Sequence, residues 1–141
     1  MAAHSVQIDS TYEGELRCRA THGPSGTVLF TDPPVDNCGK GESFSPTDLV
    51  ATAMGTCMAT TMAIFAQRHG VELKGMRISV QKEMVQVPSR RIGKLTTEIH
   101  VPLAEDHPQR EILERAALTC PVHASLHPDM EKPIVFHWAS A

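Results

Sequence analysis

The stretch from Leu49 to Ala66 constrains this chain most, because it carries no charged residue and lies between a helix start and a helix stop. Ser45 suits an N-cap. Pro46 suits the first helical position, where its missing N–H has no partner to lose, and Asp48 completes a capping-box-like reach. Leu49, Val50, Ala53, Met54, Cys57, Met58, Thr61, Met62 and Phe65 recur at helical spacing, and Gly70 supplies the stop. The run sits at the lower length limit for a membrane span. Thr52, Thr56, Thr60 and Thr61 dilute it, and no basic flank sets an orientation. The expectation is therefore no membrane partner and a helix buried on nearly all sides of a soluble protein. Gly55, Ala59 and Ala63 form a second, smooth strip where another helix can come close, in a chain of this size a second copy of itself.

Length and composition narrow the rest. A chain of 141 residues predicts one domain over 1–141, and one Trp, one Tyr and four Phe against seven Met predict a core of aliphatic and methionine side chains. A net charge of -3 leaves no basic footprint, which argues against a nucleic-acid partner. The opening MAAHSVQIDS is neither basic nor apolar, so no signal peptide is expected and a cytoplasmic location follows. Cys18, Cys38, Cys57 and Cys120 are too few and too dispersed for the disulfide framework of a small secreted domain. Thiols that pair in a reducing compartment are more often catalytic or metal-binding than structural.

In chain order, Tyr12 to Ala20 alternates as a half-buried strand, with Cys18 facing inward and Arg17 and Arg19 on the polar face. His22 to Gly26 is a turn, and Thr27 to Thr31 returns as the second strand of a hairpin. Asp32 to Phe44, with two Pro and two Gly, is a loop leading to the central helix. Two further strands follow around Met76 to Val80 and Leu95 to Val101, joined by a polar turn near Pro88. A second helix starts at Asp106-His107-Pro108, carries Ile112, Leu113, Ala116 and Ala117 on one stripe, and ends near Cys120. Pro121 reopens a helical turn, and Pro133 to Trp138 is a last strand. The order predicts an α+β fold.

The chemistry centres on Cys57 and Cys120. Each reads as a small buried hydrophobe. Cys120 also precedes Pro121 at a helix start, where free backbone N–H groups favour a thiolate, and Cys57 lies on a helix face that meets other elements. His123 makes a Cys-x-x-His unit with Cys120, half of a zinc site without a second half, so no metal is assigned. Phe44, Met54, Met58 and Met62 suit either an apolar pocket wall or the core.

Ser45-Pro46-Thr47-Asp48-Leu49, Ala53-Met54-Gly55-Thr56-Cys57 and Cys120-Pro121-Val122-His123 with Ser125-Leu126 resemble the OsmC/Ohr family of osmotically inducible and organic hydroperoxide resistance proteins. Val-His after Cys-Pro is closer to the broad OsmC-like branch than to Ohr proper. The resemblance implies an intertwined homodimer, with antiparallel sheets wrapped around a long central helix bearing Cys57 and a second helix leading to Cys120. It also implies a thiol peroxidase with no built-in cofactor, in which Cys57 attacks an organic hydroperoxide, Cys120 resolves the sulfenic acid as a disulfide, and an external dithiol, dihydrolipoamide in the Ohr branch, restores the thiols. Bringing an ordinary thiol from about 8.5 to about 6 takes about 3.4 kcal/mol, at about 1.36 per unit. A guanidinium suits that need, and the family's activating Arg maps to Arg17 or Arg19. The family's orienting carboxylate maps ten residues before Cys57, onto Thr47. Asp48 is a substitute for it, or simply the capping residue. That departure keeps open a second reading, an OsmC-like binding or redox-sensing protein without efficient turnover.

Overall fold

The computed structural model describes residues 4–140. The chain forms an α+β fold of two compact units, Met1–Leu49 and Val50–Ala141, each built around a three-stranded sheet.

The first unit is an antiparallel meander of β1 (Ile8–Gly14), β2 (Arg17–His22) and β3 (Val28–Thr31). The single strand expected from Tyr12 to Ala20 is in fact the end of β1, a two-residue turn and the start of β2. Glu15 and Leu16 form that turn with φ of 55° and 66°, so the backbone is left-handed at two residues that rarely adopt it. The Leu16 N–H donates to the Tyr12 hydroxyl at 3.3 Å, tying the turn to its own strand. Alternation carries through because Tyr12 lies directly opposite Cys18 in the register, and opposite residues share a face. Among the described residues of this unit, the buried ones are Asp32 and Ser45, both polar, while Ile8, Tyr12, Leu29 and Phe30 are exposed. The loop after β3 holds a 3-10 turn, Val35–Asn37, that ends on Cys38 in the left-handed region.

The α1 helix (Pro46–Arg68) begins with the expected reciprocal cap: the Ser45 hydroxyl accepts the Asp48 N–H at 3.1 Å, and the Asp48 carboxylate accepts the Ser45 N–H at 2.9 Å. By length and composition α1 passes as a membrane span. Its burial is that of a core helix lying on a sheet, with one stripe covered, made by Ala51, Met54, Gly55, Met58, Met62 and Ala66. The expectation of burial on nearly all sides is therefore corrected. Thr52, Thr56, Thr60 and Ile64 are exposed, because the sheet and α2 cover one stripe of the helix and leave these positions outside it. Gly55 is also reassigned. A Cβ there would stand 2.9 Å from Val80 Cγ2 and 3.2 Å from Ile78 Cγ2, so this glycine lets the helix sit down on a strand and does not belong to a strip for a second helix.

That strand is β4 (Arg77–Val85), which pairs antiparallel with β5 (Arg91–Ala104). The chain then crosses over through α2 (Arg110–Leu118) and α3 (Pro121–Ser125) to β6 (Ile134–Ala139), which lies parallel to β5. Parallel neighbours need such a crossover, so the second sheet is mixed where antiparallel sheets were expected. Ile78 and Val80, then Leu95, Thr97, Ile99 and Val101, then Ile134, Phe136 and Trp138 share the face that meets the core. Met54, Met58 and Met62 are fully buried there with Leu113, Ala116 and Ala117 of α2, which makes them core and not pocket wall. Phe44 is half exposed.

Candidate functional site

The second unit brings Cys57 and Cys120 together. Cys57 sits on the flank of the buried stripe of α1, half-buried, between the core methionines Met54 and Met58 and the open face. Cys120 is fully buried and occupies the N-cap of α3, with Pro121 at the first helical position as expected. The Cys120 sulfur accepts the His123 N–H at 3.3 Å, so the short helix has a sulfur where it would ordinarily have a Ser or Asp oxygen.

The two thiols are electrostatically unequal. Burial by itself raises the Cys57 thiol. Hydrogen bonds from the Cys120 thiol, the Val122 N–H and the Thr61 hydroxyl outweigh it and hold Cys57 below the ordinary thiol range. Burial pushes Cys120 up, and the hydrogen bond to Cys57 adds to that, with the His123 and Val122 N–H groups opposing. The pair thus divides into an accessible sulfur disposed to ionise and a buried one disposed to keep its proton and donate it. This is the pattern of a nucleophile beside an acid. His123 is lowered by burial and then by the charge of Lys132, both of which disfavour the charged ring. Among the described residues, no group of three or more His, Cys, Asp or Glu side chains is arranged to hold a metal ion.

The other expected site residues lie in the first unit. Arg17 is an anchored charge: its guanidinium donates to Glu42 at 2.9 Å and stands 3.6 Å from the Asp32 carboxylate, which is 1% exposed. Asp32 also accepts the Glu42 N–H at 2.9 Å. Those contacts raise Arg17, the Glu42 hydrogen bond first, and lower Asp32, the Glu42 N–H first and the Arg17 charge after the opposing cost of burial. Arg19 is exposed on β2, where it donates to the Thr21 hydroxyl at 3.3 Å, and it has no carboxylate partner among the described residues. Asp48 performs the capping role described above, and Thr47 at the mapped carboxylate position lies 3.2 Å from the Ser45 hydroxyl. Cys18 is half-buried and Cys38 exposed.

Sequence reasoning placed Thr61 with Cys57 on one helical face but gave it no role, and it missed Val122 as a neighbour of Cys57. For Thr61 the signal was present, since a residue four after another on a helix lies on the same face. It also missed Asp32 and Glu42 as partners of Arg17. No local pattern links residues that a loop brings together.

The family model for OsmC-like proteins matches residues 39–131. Among solved structures, a candidate osmotic stress induced and detoxification response protein from Psychrobacter arcticus is 38% identical, with a TM-score of 0.86 over 97% of this chain and 98% of that one. An organic hydroperoxide resistance protein OsmC from Legionella pneumophila shares the fold at 12% identity, with a TM-score of 0.79 over 97% and 99% of the two chains. A candidate organic hydroperoxide resistance protein from Vibrio cholerae, with captopril in one of its active sites, does so at 16% identity, with a TM-score of 0.74 over 95% and 93%. No curated protein matches the sequence. The matched segment contains both Cys57 and Cys120, and the likeness to the Psychrobacter protein extends over nearly the whole chain: this protein is a member of the OsmC-like family.

Proposed function

We propose that the protein is a cytoplasmic thiol peroxidase that reduces organic hydroperoxides to alcohols through Cys57 and Cys120. The observation that carries this reading is the asymmetry of the two neighbouring thiols, one half-buried and lowered, the other buried and raised. In the proposed cycle the Cys57 thiolate attacks the terminal peroxide oxygen, the O–O bond breaks, and an alkoxide leaves. The Cys120 thiol protonates the alkoxide to the alcohol. Its own thiolate then attacks the Cys57 sulfenic acid, forming the disulfide and releasing hydroxide, which solvent protonates to water. One hydroperoxide and two thiols become one alcohol, one water and one disulfide. An external dithiol, of the dihydrolipoamide type, returns two electrons and two protons.

A guanidinium beside Cys57 would strengthen the same polarisation. The charge of Arg17 is already matched by two carboxylates, whereas Arg19 keeps its field, which favours Arg19 as the activating residue. The protein is further proposed to work as a homodimer. The exposed face of α1 is uncharged from Thr52 to Ile64, and the Thr56 and Thr60 hydroxyls are turned back onto the carbonyls of Thr52 and Thr56 at 2.8 and 2.9 Å, leaving methyl groups outward.

The test is to treat reduced protein with one equivalent of an organic hydroperoxide and follow intact mass and free thiols. Wild type is expected to lose two thiols, Cys120→Ser to hold a sulfenic acid on Cys57, and Cys57→Ser to remain unchanged, with Arg19→Ala slower than Arg17→Ala. A wild type whose Cys57 and Cys120 both survive the peroxide would refute the peroxidase and leave the binding or redox-sensing protein that Thr47, in place of a carboxylate, keeps open.

A further inference from the structure

α1 and α3 both begin on a side-chain cap, but the capping atoms differ. α1 has an oxygen cap at Ser45, with the Asp48 carboxylate accepting in return. α3 has a sulfur cap: Cys120 stands at the N-cap, and its Sγ accepts the His123 N–H at 3.3 Å. Little else holds α3. It is five residues long, and none of them is buried. A helix below about 12–15 residues is marginal by itself. The Ala124 N–H closes its first turn on the Cys120 carbonyl at 3.1 Å, and the Ser125 hydroxyl turns back onto the Pro121 carbonyl at 2.8 Å. Cys120 itself is 0% exposed, so no thiol from solvent reaches its sulfur in the reduced protein.

We propose that Cys120 is a redox-operated cap. Its sulfur keeps α3 closed in the reduced protein, and its disulfide with Cys57 uncaps α3 and loosens the 121–125 segment, which gives the reducing dithiol access to the sulfurs. The inference rests on the Cys57 and Cys120 couple proposed above, whereas the cap itself is a contact of the reduced structure and needs no peroxide. A free thiol turns about its own side chain and keeps a lone pair on the His123 N–H. A disulfide sulfur takes its direction from its partner, here on α1, and sulfur is a weak acceptor to begin with. An oxygen cap such as Ser45 has no comparable bond to form. Closing the disulfide breaks two S–H bonds, makes one S–S bond and passes two electrons and two protons to the oxidant, the hydroperoxide in the cycle above. The dithiol returns them, and the recovered Cys120 thiol closes α3 again.

The experiment is amide hydrogen exchange at His123 and Ala124, read by NMR in reduced wild type, in wild type oxidised with diamide, and in reduced Cys120→Ser and Cys120→Ala. Diamide takes up the two electrons and two protons as its hydrazine, and peptide mapping locates the bond formed. Loss of an N-cap speeds local exchange about fivefold. Oxidised wild type and Cys120→Ala are expected to show that increase at both amides. Cys120→Ser, whose hydroxyl caps in place of the thiol, is expected to keep the reduced wild-type rates. Equal rates in reduced and oxidised wild type overturn the proposal, as does Cys120→Ala exchanging as slowly as Cys120→Ser. A change confined to His123 overturns it too, because α3 would then stay closed without its cap. If Cys120→Ala fails to fold, the two wild-type states and Cys120→Ser decide. Wild type that ignores peroxide but loosens α3 once diamide has joined Cys57 to Cys120 would sink the peroxidase and spare this inference. Unchanged exchange in a wild type that consumes peroxide would do the opposite, and failure of diamide to join the two sulfurs would sink both.

Discussion

Replacing Gly55 by alanine asks how tightly the Cys57 helix is seated on its sheet. Within a helix the exchange by itself favours folding by about 1 kcal/mol, because glycine gives up more backbone freedom. Against that stands the missing space. The new Cβ would lie 2.9 Å from Val80 Cγ2 and 3.2 Å from Ile78 Cγ2, well inside the carbon–carbon optimum of about 3.5–4.0 Å. Both neighbours are β-branched and stiff at χ1, so relief comes from lifting α1 away from β4. Overpacking of this kind costs about 1–3 kcal/mol, which leaves Gly55→Ala net destabilised by about 0–2 kcal/mol. Val80→Ala removes the nearer methyl, so in the Gly55→Ala background it should cost about 1 kcal/mol less than in wild type. Urea unfolding of the four proteins in the cycle, with unchanged m values, gives that coupling. Because Cys57 lies two residues, or about 3 Å, further along the axis, the lifted helix should also form the Cys57 to Cys120 disulfide more slowly, and the double variant should recover the rate. The reasoning is refuted if Gly55→Ala is more stable than wild type by the full helix preference and Val80→Ala costs the same in both backgrounds.

Two further outcomes follow from other parts of the molecule. The Glu42 N–H, against the cost of burial and with help from the Arg17 charge, holds the Asp32 carboxyl below its ordinary 3.8. Its ionised form therefore contributes stability fully above that value and loses it as pH falls through the lower native one. Asp32→Asn should be less stable than wild type at neutral pH, with a gap that closes in acid. A gap of the same size at about pH 2.5 would show that the carboxylate charge is not what matters. On the open face of α1, Thr56→Lys places a charge where a second copy is proposed to pack. It should halve the mass seen by sedimentation while the helical circular dichroism is kept, and an unchanged mass from wild type to variant would remove that face from the interface.

Residues 45–70 were legible because everything needed is local: a cap, a proline at the first turn, a periodic apolar set and a glycine stop. The short stop at Cys120-Pro121 was legible for the same reason, since proline at a helix start acts on its immediate neighbours. The hairpin in place of one strand at Tyr12 to Ala20 was not, because Glu15 and Leu16 carry no mark of the left-handed turn they adopt, and a two-residue turn preserves the alternation on both sides. Nor could the parallel pairing of β6 with β5 be read, as the pattern inside a strand is silent on the direction of its neighbour. Sequence alone picked out the two sulfurs of the candidate site and the helix that bears one of them. Tertiary structure decided that one sulfur is the more exposed and held below the ordinary thiol range while the other is buried and pushed above it. That difference arises from burial, and from donors on α1 and α3 that meet only once the crossover between β5 and β6 has folded the chain back on itself.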